Sequence, residues 1–317
     1  MKIALFGAWH VHAPGYVKVA MQYADVIGFF EGDDALAAAF LEKCPSMRRF
    51  ASAEELLRSD ADAVIVCSAT YRHKEDIVAI ANAGKDIFTE KVLALTDADC
   101  AEIEAAIQRN GVRFVISCPH KFFGAVKTVK QIADSGELGR INYVRYRNAH
   151  SGSVNDWLPP HFYDREACGG GAMIDLGAHG MYMIHSILGE PIAARSAFTR
   201  FCNSESVAEK NRDGVEDNAV TTLIYESGAI AVNETGFVTD KGSMIFEIHG
   251  ERGYAVMERE RVKKSSVSTA GQLVEVEIVP TEELPIAVFA KGGTPAGCGI
   301  DVARALTRIM EMAYDNA

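Results

Sequence analysis

The chain has 317 residues, 48% hydrophobic and 24% charged, which is enough for two domains with a substantial core. Its net charge of −11 repels a phosphate backbone and argues against nucleic acid as a partner. The seven cysteines are scattered, odd in number, and lack a CxxC pair or zinc spacing, so a full disulfide set is excluded and a reducing, cytoplasmic setting is expected. The opening apolar run is too short for a signal peptide, and no stretch reaches the roughly 20 apolar residues of a membrane span.

Over residues 1–118 apolar runs alternate with helical patterns, the signature of a doubly wound parallel α/β sheet. Strands are expected at 2–6, 26–30, 63–67, 86–89 and 112–116. Helices are expected at 13–23, 34–43, near 73–83 and at 97–109. The first strand leads into Gly7-Ala8-Trp9-His10-Val11-His12. Gly7 keeps a tight turn, but Trp9 and His12 stand where a dinucleotide fingerprint has glycine, so the strict motif fails. Backbone amides and the helix dipole after the turn still suit a pyrophosphate, and His10 or His12 adds positive charge. A metal on His10 and His12 is not expected, because no carboxylate or third imidazole lies near them in sequence.

Glu31 ends the second strand. An acid there accepts hydrogen bonds from ribose hydroxyls and repels a 2′-phosphate, which favours NAD over NADP. Asp33 and Asp34 add negative charge, and no arginine follows at once. Ser68, Ala69 and Thr70 follow the third strand, and His73 opens the next helix. Glu90 and Lys91 follow the fourth, placing Lys91 at the carboxyl end of a parallel strand, where ligands bind in such sheets.

From about residue 119 the pattern changes. A helix at 123–135 stops at Gly136, and residues 141–148 alternate apolar and polar with period two. Similar strands fit 192–201, 217–225, 229–237, 243–249, 253–258 and 273–279. Together they suggest one large, open, mainly antiparallel sheet, covered by helices on one face and by water or a partner subunit on the other. Residues 202–215 and 259–272 read as mobile loops, and 299–314 as a final amphipathic helix. The loop at 151–168 carries Trp157, His161 and Tyr163 among amide and carboxylate groups, which suits a polyhydroxylated ring or, more blandly, a lid with core aromatics. Three glycines, 169–171, precede a helix with Asp175 and His179 four residues apart. On a regular α-helix that spacing stacks them on one face, the minimum for an oriented proton-transfer group.

Glu90-Lys91 after a strand, followed downstream by Gly169-Gly170-Gly171-x-x-x-Asp175-x-x-x-His179, resembles the family of glucose-fructose oxidoreductase and inositol dehydrogenase (Gfo/Idh/MocA). Ala83-Gly84-Lys85, Ser135-Gly136-Glu137-Leu138-Gly139 and Val215-Glu216-Asp217-Asn218-Ala219 extend the resemblance over nearly the whole chain. It implies a Rossmann domain at 1–118 and an α+β domain at 119–317, with the last helix near the first domain. It implies dimers or tetramers joined through the open sheets, and hydride transfer between NAD and a sugar, polyol or cyclitol. Lys91, Asp175 and His179 would form the reaction centre. Gly7, Trp9, His10, Val11, His12, Glu31, Ser68, Ala69, Thr70, His73, Glu90 and Lys91 would surround the cofactor. His120, Lys121, Trp157, His161, Tyr163, Asp175 and His179 would face the substrate. Relatives differ in whether the lysine or the histidine takes the proton, and their usual Glu-Lys-Pro is Glu90-Lys91-Val92 here. Two other readings stay open: an NAD-dependent glycosidase working by transient oxidation and elimination, and a non-enzymatic ligand sensor on the same fold, favoured by Trp9.

Overall fold

In the computed structural model, which describes residues 1–239 and 244–317, the apolar runs of the first third become parallel strands. These are β1 (Lys2–Phe6), β2 (Asp25–Phe30), β3 (Ala63–Val66), β4 (Asp86–Thr89) and β5 (Phe114–Ile116). Their order is β2-β1-β3-β4-β5. The order reverses between β1 and β3, so the crevice at their carboxyl ends is the switch point where open α/β sheets bind ligands. The helices between them are α1 (Ala13–Ala20), α2 (Asp34–Lys43), α3 (Ala53–Arg58), α4 (His73–Asn82) and α5 (Asp97–Asn110). Asp33 caps α2, accepting the amides of Ala35 and Leu36. Helix α3 was not expected. It is a six-residue turn started by Ser52 capping Glu55, too short to display a helical period.

The second part contains α6 (Gly124–Asp134), β6 (Ile141–Ala149), α7 (Arg165–Cys168), α8 (Ala178–Leu188), β7 (Ala193–Thr199) and α9 (Glu205–Lys210). Then come β8 (Asn218–Ile224), β9 (Ile230–Gly236), β10 (Met244–Gly250), β11 (Gly253–Glu258), β12 (Arg261–Ser266), β13 (Val274–Val276), α10 (Pro285–Ala290) and α11 (Ile300–Tyr314). Residue 243, the first of one expected strand, lies outside the described residues. Among the described residues the sheet has eight strands, ordered β13-β12-β11-β10-β6-β9-β8-β7, antiparallel except for the β6–β9 pair. Val144, Tyr146, Phe246, Ile248, Ala255 and Met257 point to the face covered by α6 and α8 and are buried. The residues between them include Arg145, Arg147 and Glu247, which with Glu234 of β9 form a half-buried ion-paired surface on the other face (Arg145–Glu234 2.7 Å, Arg147–Glu234 3.2 Å).

Two expected loops are structured. Within 259–272, β12 pairs with β11 and β13. It escaped notice because its one buried apolar residue is Val262, while Arg261 fastens it across the pair to Glu275 at 2.8 Å. Within 202–215, α9 buries Val207 in a small core with Leu158, Phe162, Val215 and Phe237.

The chain divides into two compact units, Met1–Ser117 with Glu283–Thr307, and Cys118–Glu282 with Arg308–Ala317. Residues 283–307, placed by sequence in the second domain, supply core to the first unit. Phe289 lies 5.6 Å from Phe88 and 4.3 Å under the Arg113 guanidinium, and Ile116 donates its amide to the Cys298 carbonyl at 2.9 Å. All seven cysteines are free thiols. Among the described residues no helix is long and apolar enough to cross a membrane.

Phe88 is fully buried, edge-on to Tyr16 at 5.1 Å as well as against Phe289. Phe88→Ala is expected to destabilise the first unit by about 3–5 kcal/mol. The check is its unfolding transition by calorimetry, and an unshifted transition would contradict this account of the core.

Candidate active site

The loop after β1 is set by Gly7. Its φ is +81°, and a Cβ there would collide with the backbone of Ser68. The Gly7 amide donates to the Phe30 carbonyl at 2.8 Å, and the His10 amide to the Cys67 carbonyl at 3.0 Å, which fastens the loop over the ends of β2 and β3. Glu31 folds back onto the turn. One carboxylate oxygen accepts the Ala8 amide at 2.7 Å and the other the Asp33 amide at 2.9 Å, leaving a lone pair on each for hydroxyl donors. Arg49, which sequence reasoning missed, donates to the Glu31 carbonyl at 2.7 and 3.2 Å and pairs with Asp34 at 2.8 Å. It follows α2 in the chain, 18 residues from Glu31, with no local signal in the sequence.

His12, in place of a fingerprint glycine, turns away from the turn toward the end of β4. Its Nδ1 lies 2.7 Å from Glu90 Oε1, and His10 Nδ1 lies 3.6 Å from the same oxygen. The Tyr16 hydroxyl donates to that oxygen and sits 2.7 Å from Ser117 Oγ, while the Lys91 amide donates to Glu90 Oε2 at 3.1 Å. Burial pushes the Glu90 carboxyl up, but the His10 and His12 imidazoles and the Lys91 ammonium outweigh it and hold the group well below the usual carboxylate range. The carboxylate that the sequence lacks beside His10 and His12 is thus supplied by the fold, which removes the reason for setting a metal aside.

Lys91 itself is buried, and its peptide bond to Val92 is cis. His73 is fully buried. Its Nδ1 faces the Val92 and Leu93 carbonyls at 3.1 Å, and its Nε2 faces the Ser68 carbonyl at 3.0 Å. Burial lowers its pKa, with Asp76 and these carbonyls opposing. His73 therefore ties the loop after β3 to the segment that presents Lys91. Ala69 and Thr70 are buried beside it, whereas Trp9 is half-buried and Val11 exposed.

In the second unit the glycine run is a packing device. Gly169 ends α7 in the left-handed region (φ +86°). A Cβ at Gly170 would strike the Tyr314 hydroxyl, and one at Gly171 the Glu216 carbonyl oxygen. The Glu216 carboxylate accepts amides from Gly171 (3.1 Å) and Met173 (2.9 Å) and the Tyr314 hydroxyl (2.7 Å). Burial raises its pKa, opposed by these donors. Glu216 appears in the sequence reading only within a family motif, because the amides it holds lie in a distant segment.

Asp175 and His179 do not share a regular α-helix. Met173–Gly177 forms a π-helical turn before α8, so the assumed stacking on one α face does not apply. The cause is Asn233 of β9. Its side-chain amide donates to the Gly177 carbonyl at 2.8 Å, and its oxygen lies where a Cβ at position 180 would be.

His179 is buried, with Nδ1 2.9 Å from the Tyr182 hydroxyl and its ring stacked on His120 at 4.0 Å and 14°. His120 Nδ1 lies 2.7 Å from the Tyr146 hydroxyl, and its backbone amide donates to Tyr182 at 3.0 Å. Lys121 Nζ sits 5.9 Å from the Tyr182 ring. The structure thus sets His120 against His179 and links both to Tyr182, with Tyr146 holding His120 from the other side; sequence reasoning named neither tyrosine. Tyr182 was findable at i+3 from His179. Tyr146 was legible only as an inward-facing strand residue.

The remaining expected substrate residues divide. Trp157 is half-exposed, with its Nε1 donating to Ser151 Oγ at 3.2 Å. His161 is partly buried, and burial lowers its pKa to about 4 against the opposing Asp164 charge. Tyr163 packs inward. It is 1% exposed, bonded to Ser153 Oγ at 2.8 Å and packed in the small core with Phe162 and Phe237.

Residues 1–117 match the family model described as the oxidoreductase family with NAD-binding Rossmann fold, and residues 126–256 match the GFO/IDH/MocA C-terminal domain. The chain belongs to the Gfo/Idh/MocA family. It is 28% identical over 236 residues to 1,5-anhydro-D-fructose reductase of Ensifer adhaerens (72% of this chain, 67% of the relative). It is 29% identical over 192 residues to myo-inositol 2-dehydrogenase of Thermotoga maritima (60% and 54%). The matches thus span between about half and two thirds of these curated relatives. The fold also matches a levoglucosan dehydrogenase solved with NADH, at TM-score 0.82, 19% identity and coverage of 100% of this chain and 96% of that one.

Within this Gfo/Idh/MocA chain the residues at the switch point fit a dinucleotide. Ser68 Oγ is buried with no hydrogen-bond partner among the described residues, and it adjoins Gly7 at the carboxyl end of β3. Such an orphaned donor suits a bound polar ligand. In the second unit, Gly171→Ala is expected to destabilise by about 1–3 kcal/mol, since Cβ and the Glu216 carbonyl cannot share space. Thermal unfolding reads this, and a neutral substitution would show the glycine to be dispensable.

Proposed function

We propose that this protein is an NAD-dependent dehydrogenase of a sugar, polyol or cyclitol hydroxyl carbon. The observation that carries the reading is the buried Lys91 at the carboxyl end of β4, in a unit that matches the NAD-binding family model. Bound NAD supplies the hydride acceptor for the carbinol carbon. Lys91 donates a hydrogen bond to the reacting oxygen. With Nδ1 facing the Tyr182 hydroxyl, the His179 imidazole accepts the hydroxyl proton at Nε2, and Asp175 orients it or contacts a neighbouring hydroxyl. The exposed Trp157 ring offers a flat face to the C–H groups of a saturated ring. The names of the curated relatives, a reductase of an anhydro-sugar and a dehydrogenase of an inositol, support this substrate class. Glu31 favours NAD over NADP. We further infer a homodimer or homotetramer formed through the ion-paired open face of the large sheet, and a reducing, cytoplasmic setting in keeping with the free thiols.

The test is native mass spectrometry for bound dinucleotide, then a polyol panel read by NADH absorbance. Lys91→Ala is expected to cut turnover by about 10²–10³ while NAD still binds. For alcohol oxidation the base must be neutral, so kcat/KM rises with pH through the imidazole pKa. His179→Ala should lower the rate and abolish that ascending limb. An unchanged limb would move the base elsewhere.

Cofactor choice has its own check. Glu31→Ala should narrow the gap between NAD and NADP dissociation constants. Combining it with Asp34→Asn, which removes the carboxylate paired with the Arg49 guanidinium and so favours a 2′-phosphate beside it, should narrow it further. Wild-type protein that binds both equally would overturn this role for Glu31.

A further inference from the structure

We propose that His10, His12 and Glu90 form a binding site for a zinc-class divalent cation. This inference stands independently of the dehydrogenase reading. One donor atom from each of the three side chains lies within 4.8 Å of the others. Ligand atoms bonded to zinc at roughly 2.0–2.2 Å lie about 3–4 Å apart, so small side-chain rotations would close the set around an ion. The same position carries the departure from the dinucleotide motif. His12 stands where a fingerprint glycine is usual, and the imidazole that replaces it is one of the donors.

Donor chemistry selects the ion. Two imidazoles and one carboxylate suit zinc and its transition-metal neighbours, whereas magnesium and calcium favour all-oxygen shells. Three protein ligands leave a coordination position open, the arrangement of reactive rather than structural zinc sites. Access is built in: the His12 side chain is 47% exposed, while those of His10 and Glu90 are 6% and 1% exposed.

An outer layer is also present. The Tyr16 hydroxyl holds Glu90 Oε1 and is itself held by Ser117, and the Lys91 amide holds Glu90 Oε2. Carboxylate ligands oriented this way typify built metal sites. The site lies at the carboxyl ends of β1 and β4, so an ion with an open position would face whatever polar ligand the switch-point crevice admits.

The experiment uses full-length protein stripped with a chelator and titrated with zinc chloride by calorimetry, then with cobalt(II) followed by visible absorption. The expected result is one equivalent of zinc and a low-symmetry cobalt spectrum. His12→Ala is the principal variant because its side chain is half-exposed and circular dichroism can verify its fold. It and Glu90→Gln should each weaken zinc by at least about a hundredfold, and Tyr16→Phe by roughly 10–100-fold. The proposal fails if wild type takes up no stoichiometric zinc, or if His12→Ala binds it as tightly. It also fails if Cys202→Ser, in place of His12→Ala, removes binding, which would assign the ion to a thiol. NAD binding measured on the same samples separates the two readings. Zinc uptake without NAD binding would keep the cation site and remove the dehydrogenase.

Discussion

The second unit depends on one buried carboxylate. Glu216 is nearly out of water, and a carboxylate so placed must be hydrogen-bonded. The Gly171 and Met173 amides and the Tyr314 hydroxyl meet that demand. They do so only because the chain at 170 and 171 has no Cβ, and so can lie directly against Glu216 and Tyr314. A run that reads as a flexible loop is in fact pinned to the strand sheet. From it the chain enters the π turn and then α8, which carries His179. His179 thus inherits its position from a buried acid in a distant segment.

The first unit uses the same device at another place. Glu90 follows β4 with both oxygens engaged, by His12 and Tyr16 on one side and by the Lys91 amide on the other. Its partners differ in kind: imidazoles stabilise the ionised acid, whereas around Glu216 neutral donors leave burial dominant. Two buried glutamates in one chain are therefore pushed in opposite directions, and each shift follows from the charge of its neighbours.

Helix geometry at Asp175 and His179 shows tertiary packing overriding local spacing. The interval of four residues assumes 3.6 residues per turn. Asn233, reaching from β9, takes the Gly177 carbonyl and widens the turn, and Gly177 and Gly180 leave room for its side chain. His179 then finds its orientation in Tyr182 and the stacked His120 ring.

The sequence by itself determined the parallel sheet and most of the period-two strands. Runs such as 2–6, 34–43 and 86–89 carry their structure in local periodicity, and Gly7 and Lys91 stand at strand ends that local pattern locates. It missed β12, because a strand with a single buried side chain and a cross-strand Arg261–Glu275 pair looks polar until its neighbours are in place. The sequence could not assign Tyr163 to the core, pair His12 with Glu90, set Arg49 beside Glu31 or join Glu216 to the glycines. Only the tertiary structure decided those. Each is a contact between segments far apart in the chain, and hydrogen bonding and burial act on distance in space, to which periodicity along the chain is blind.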